Sequence, residues 1–365
     1  MWGICAMTSA SRTPGPASDP EPGPTTGPEP GPTTGPEPAA TPAGGTVGVP
    51  AELVGRSPGQ LMWRRFKRDR AGVVSAWIVV FFFVVALAAP LISKLYGKDP
   101  TTTYGLEVPG ELLNEYGYPV KPNGGISADF WFGIEPTLGR DVFTQLVYGI
   151  RTSLLIATAA TVLCVLTGIV VGVTAGYVGG RTDYFLGRFI DLLLAFPSQL
   201  SFIAFTPVVY SLFVSPGKET PTSLRVITLI LVLWVLGWMG LARLLRGQVL
   251  SLREREFVEA ARVTGASPWR IISRELLPNL WTPILVQSTL MLPTTVTIEA
   301  GLSFIGVGIL EPTPDWGRMF AGGARYYESD ITYIFFPGLA MIVFVVAFNL
   351  LGDSVRDAFD PRTRR

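Results

Sequence analysis

The 365 residues carry 29 Lys and Arg against 28 Asp and Glu, a formal net charge of +1, and 48% of the chain is apolar while only 16% is charged. With a mean hydropathy of +0.39, that balance describes a polytopic membrane protein rather than a water-soluble globule, and it offers no basic surface for nucleic acid. Histidine is absent and the only cysteines are Cys5 and Cys164, so the commonest metal ligand and general base is missing, as is any disulfide framework.

Residues 1–55 form a Pro/Gly/Thr-rich tail. The octad Pro20-Glu21-Pro22-Gly23-Pro24-Thr25-Thr26-Gly27 recurs from Pro28 to Gly35 and begins again at Pro36. It has almost nothing to bury, so a disordered cytoplasmic tail is expected. The start Met1-Trp2-Gly3-Ile4-Cys5-Ala6 has neither the basic nor the apolar region of a signal peptide. A basic segment, 56–71, holds Arg56, Arg64, Arg65, Lys67, Arg68 and Arg70 against Asp69. Placed before an apolar run, it orients the N-terminus toward the cytoplasm, with Leu61, Trp63 and Phe66 suited to the interface.

The first expected membrane helix is Gly72–Ile92, followed by an extracytoplasmic loop over 93–151. Five more spans of about 20 residues are drawn at Ser153–Val178, Phe189–Val214, Leu224–Leu245, Ile284–Gly308 and Tyr333–Leu351. The core with these five spans is thus 152–352, with a tail at 353–365. Pro197 and Pro207 interrupt the third span, and neighbouring helices can satisfy the carbonyls they free. Arginines between the fourth and fifth spans and in the C-terminal tail place both termini in the cytoplasm.

The loop over about 246–282 is the most distinctive stretch. Leu252–Thr264 reads as one short helix, ended by Gly265 in a left-handed turn. Ser267 is suited to cap a second helix, Pro268 to its first position, and Pro278 to stopping it. Such a helix pair makes a knob for a partner's groove. Glu299 is the one acid well inside an expected span, where a charge costs at least about 2.5 kcal/mol, so it is expected to face the bundle or a wet path, with Ser303 and Phe304 beside it.

Glu259-Ala260-Ala261, then Gly265, Leu277 and Pro278 resemble the EAA loop of the permeases of binding-protein-dependent ABC importers, although Glu275 stands where the family has Ile. Further segments resemble the second (C-type) permease subunit of dipeptide and oligopeptide importers. These are Gly139-Arg140-Asp141, Glu299-Ala300-Gly301-Leu302-Ser303-Phe304-Ile305-Gly306, Glu311-Pro312-Thr313-Pro314-Asp315-Trp316-Gly317, Asn349-Leu350-Leu351-Gly352-Asp353 and Asp360-Pro361-Arg362. The likeness covers about 57–365. One departure is Gly133-Ile134-Glu135-Pro136-Thr137-Leu138, a residue longer than the family's run before Gly-Arg-Asp.

The resemblance implies an all-α type I ABC-importer permease of six membrane helices, multi-pass in a bacterial cytoplasmic membrane. It implies half of a translocation pathway, completed by a sister permease as a heterodimer. It further implies two ATPase subunits or a fused ATPase, and an extracytoplasmic binding protein. Glu259, Ala260, Ala261, Gly265, Leu277 and Pro278, with Arg255 and Arg262, would couple to the ATPase. Glu299, Ser303 and Phe304 are candidates for the path or gate. No phosphate-binding loop is present, since Gly217-Lys218-Glu219 lacks the rest of one, so no cofactor is expected on this chain and ATP and Mg would sit on partners. A stand-alone secondary transporter would need intramembrane ion pairs and internal repeats, neither of which the sequence displays. Cargo stays open between peptides and a nickel chelate, haem or glutathione.

Overall fold

Long apolar runs become helices here because only the backbone itself can satisfy their N–H and C=O groups away from water. The computed structural model describes residues 58–107, 112–214 and 221–359; the tail 1–55, Gly217-Lys218-Glu219 and Asp360-Pro361-Arg362 lie outside them. In chain order the helices are α1 (Pro58–Arg68), α2 (Arg70–Tyr96), α3 (Tyr104–Glu107), α4 (Pro122–Gly125), α5 (Val142–Val178), α6 (Gly180–Ala195) and α7 (Ser198–Phe213). There follow α8 (Thr222–Gly237), α9 (Met239–Leu252), α10 (Glu256–Val263), α11 (Pro268–Arg270), a π-helical segment Ile271–Leu276, α12 (Leu277–Phe304), α13 (Trp316–Tyr326) and α14 (Thr332–Phe359). Besides these there are only two isolated β-bridges among the described residues, Leu113 with Pro119 and Ile134 with Asp141.

Four stretches are long and apolar enough to cross a membrane: α2, α5, the run Thr222–Leu252 and α14. The pair α6 and α7 makes a fifth if their 89° bend is one broken span. The six expected spans therefore become four or five by length and composition. The expected third span breaks at Phe196-Pro197, where Phe196 is extended (φ −79°, ψ 136°). Proline lacks an N–H and disfavours helical backbone in the residue before it. The expected fifth span does form one helix, α12, but Gln287, Glu299 and its threonines make it less apolar than the four.

Several boundaries move outward. The second span begins at Val142 rather than Ser153, because the Asp141 carboxylate caps it by accepting from the Thr144 N–H at 2.7 Å. The loop expected to run to 151 thus ends at residue 141. Asp69 caps α2 by accepting from the Ala71 N–H at 3.1 Å, and α14 runs past Gly352 to Phe359.

Helix α5 is the pillar. Its 37 residues span about 55 Å at 1.5 Å per residue, against about 30 Å of hydrocarbon. Near one end Val142, Leu146 and Ile150 pack with Trp316 and Met319 of α13. Toward the other end Val173 packs with Val258, Ile271 and Leu280. Between them α5 lies against α9 at very close range: a Cβ on Gly172 would stand 2.6 Å from the Ala242 carbonyl oxygen. Small residues let membrane helices approach so that dispersion contacts hold them.

Candidate coupling knob and buried polar network

The knob is built from local signals on an apolar footing. Helix α10 starts after Arg255, whose backbone is extended (φ −83°, ψ 149°), and carries Glu256 and Glu259 in its first turn, where the helix dipole favours anions. This corrects the expected helix Leu252–Thr264: Leu252 ends α9, and Arg253, Glu254 and Arg255 form a corner. Arg253 anchors that corner by donating from Nη1 to the Gly176 carbonyl oxygen at 3.1 Å. Gly265, at φ +79°, ends α10 as expected. The Ala266 N–H reaches back to the Ala261 carbonyl at 3.0 Å and the Gly265 N–H to Arg262 at 3.0 Å, the double closure of a left-handed helix stop. Ser267 then caps α11 by accepting from the Arg270 N–H at 3.4 Å, with Pro268 at its first position.

Pro278 does not stop the second helix. The chain passes through the π-helical segment, in which the Leu277 N–H bonds to the Ile272 carbonyl, and continues as α12. The wide turn and the free first-turn N–H positions of α12 absorb a residue that has no N–H. Asn279 donates from Nδ2 to the Glu275 carbonyl oxygen at 2.6 Å. Knob and long helix are therefore continuous. Val258 and Leu276 at 0% exposure and Ile271 at 1% pin the knob to α5, α9 and α12.

Outward, Val263 and Trp269 are exposed, and a concavity of about 400 Å³ is lined by Ala260, Ala261, Gly265, Arg270 and Glu275, among others. Glu259, Ala260, Gly265, Arg255, Arg262 and Pro278 are all exposed, and Ala261 and Leu277 half-buried. Arg262 lies over the Tyr177 ring at 5.9 Å, tying α10 to the end of α5. Sequence reading missed one support: Arg246, counted only as a loop charge, forms a bidentate pair with Asp183, its Nη2 donating to Oδ2 at 2.9 Å.

At the opposite end of α5 lies a polar ring that the sequence left unassembled. Arg140, 2% exposed, donates to both oxygens of Glu135, from Nη2 to Oε1 at 2.8 Å, and to Glu311 at 3.1 Å. Arg318 donates to Glu311 at 3.0 Å and to Gln145 at 2.6 Å, and Gln145 closes the ring on Glu135 at 3.0 Å. Tyr333 adds a fourth donor to Glu135 at 2.9 Å. The extra residue in Gly133–Leu138 thus closes into a turn in which the Glu135 N–H meets the Arg140 carbonyl at 2.8 Å. Burial works against the charges of Arg140 and Glu311, but their mutual pairing prevails. Arg140 is pushed further up, and Arg140 and Arg318 hold Glu311 below the usual carboxylate range.

Glu299 is fully buried, near the α13 end of α12, where it accepts from the Ser303 hydroxyl at 3.4 Å. Ser303 in turn accepts from the Ile309 N–H at 3.0 Å. A second buried acid, Asp315, lies close enough to act on Glu299, and burial pushes its carboxyl up to about 6. The sequence showed no such partner because the two acids meet only through the loop between α12 and α13. Phe304 does not join them and is about half exposed.

Residues 168–365 match the family of binding-protein-dependent transport system inner membrane components, and residues 57–106 match the N-terminal TM domain of oligopeptide transport permease C. The chain belongs to this permease family. This permease is 37% identical to the dipeptide transport system permease protein DppC of Bacillus subtilis, over 83% of its own length and 85% of that protein's. It is 35% identical to the oligopeptide transport system permease protein OppC of the same organism, over 82% and 88%. It is also 33% identical to the glutathione transport system permease protein GsiD of Escherichia coli, over 85% and 92%. It is accordingly a multi-pass component of a bacterial inner-membrane transport complex.

Proposed function

We propose that this permease is the C-type membrane subunit of an ATP-driven importer of peptides. It forms half of the pathway beside a sister permease and docks through the α10–α11 knob on cytoplasmic ATPases. Six crossings, with the broken pair α6–α7 and the less apolar α12 each counted as one, would put both termini and the knob on the cytoplasmic side. An extracytoplasmic binding protein would deliver cargo to the end of α5 that carries the polar ring.

The observation that carries the reading is the knob's construction. Its base is fully buried, its outer face exposes Ala260, Gly265 and Trp269, and its second helix runs without interruption into α12. A pull on the knob is thereby transmitted to α12, and through Val258 and Ile271 to α5. Helix α12 also carries Glu299 and Ser303, so motion of the knob reaches the buried acids. Leu277 and Pro278 act at the joint, while Glu259, Arg255 and Arg262 present charge to the ATPase. Relatives named for dipeptides and oligopeptides favour peptide cargo, and the glutathione relative keeps a small peptide-like thiol as the second reading.

The test is co-purification of the ATPase with Glu259→Lys, together with uptake in proteoliposomes. The variant should reach the membrane at the parent's level yet lose ATPase on mild washing. Parent-like retention and transport would remove the knob as the coupling point.

A further inference from the structure

Helix α1 is separated from the membrane-spanning α2 by Asp69 alone. The Asp69 N–H bonds back to the Phe66 carbonyl at 3.1 Å while its side chain caps α2. The helix is thus tied to the level at which a span leaves the hydrocarbon. It carries no acid, and Arg64, Lys67 and Arg68, spaced as neighbours on one face, are all exposed. None of the three forms an ion pair among the described residues. Its other side holds Met62, Trp63 and Phe66, the two rings stacked at 6.0 Å. Between these residues and Val355, Ala358 and Phe359 of α14 runs an almost wholly apolar groove of about 270 Å³.

We propose that this groove binds an anionic phospholipid, its acyl chain lying against Met62, Phe66 and Ala358 and its phosphate reaching past the Trp63 edge of the groove to Lys67, within the positive field of Arg64 and Arg68 on the same face as Lys67. The apolar lining suits an alkyl chain better than a polar peptide. Residues 360–365 are a poor filling, because Asp360-Pro361-Arg362-Thr363-Arg364-Arg365 brings more positive charge to an already basic helix and only one apolar side chain. Lys67 lies over the exposed Trp63 ring at 5.1 Å, an aromatic and a cation together as membrane interfaces favour. A lipid held there would fasten the start of α2 to the end of α14.

The experiment is native mass spectrometry of the full-length permease purified with its partner subunits, titrated with phosphatidylglycerol, with phosphatidylcholine of the same chains, and with inorganic phosphate. Phosphatidylglycerol should bind in preference to phosphatidylcholine, and phosphate should not displace it. The triple variant Arg64→Gln, Lys67→Gln, Arg68→Gln should bind it about a hundred-fold more weakly, about five-fold per charge removed. Gly59→Leu keeps every charge, and its Cβ meets nothing within 4 Å, so it should fold normally yet block the groove and lower lipid occupancy. Equal binding of the two lipids, or parent-like retention by both variants, would overturn the proposal. So would lipid binding that appears only after residues 1–57 are removed, which would assign the groove to the tail.

Discussion

Gly265→Val tests the knob at the residue where its path depends most on backbone freedom. Gly265 holds φ at +79°, and a Cβ built there meets nothing within 4 Å. A substitution therefore causes no clash, and the whole penalty is the left-handed conformation itself, about 1–2 kcal/mol for an ordinary L-residue. That corresponds to a shift of about 5–30-fold in the population of the ordered corner. The loss stays local, because Val258, Ile271 and Leu276 are buried away from the turn and keep both helices on their footing. Hydrogen exchange on the purified complex should show faster exchange at Thr264–Arg270, unchanged protection along α5, and ATPase lost on washing. Gly265→Asn is the control, since asparagine tolerates this conformation, and it should stay close to the parent. If Val matched the parent, or if Asn damaged the knob as much as Val, the strained-corner argument would fail.

The polar ring supplies two more tests. Glu135→Ala leaves Arg140 buried with its bidentate partner gone, so thermal unfolding in detergent should register a loss of about 3–5 kcal/mol, whereas Tyr333→Phe, which removes one hydrogen bond, should cost about 0.5–1.5 kcal/mol. Glu311 has a folded-state pKa depressed by Arg140 and Arg318. The stability it contributes is present above the unfolded value of about 4.3 and is lost as pH falls through the depressed folded value, so proteolysis around α13 should accelerate on acidification below pH ~4.

Whatever depends on a few consecutive residues could be read from the sequence. Gly265 as a left-handed stop, Ser267 as a cap and Pro268 as a first helical residue are local choices whose energetics need no distant partner. The apolar lengths behind α2, α5 and α14 are equally local, because a bilayer selects on length and hydropathy. Local reading fails at prolines, whose effect depends on the turn that adjoins them, and where a distant neighbour supplies what the local rule says is missing. Pro278 reads as a stop, but a π-helical turn and the first-turn position of α12 carry the chain through it. Phe196-Pro197 reads as a tolerated interruption, yet the backbone turns by 89° there. Glu135 and Arg140 read as loop residues, and only the fold brings Glu311, Arg318 and Tyr333, more than 170 residues away, to complete their ring. The fold likewise brings Asp315 near Glu299, although neither acid satisfies the other. A buried charge is satisfied by whichever groups the tertiary structure brings within about 3 Å, and spacing along the chain does not encode that distance.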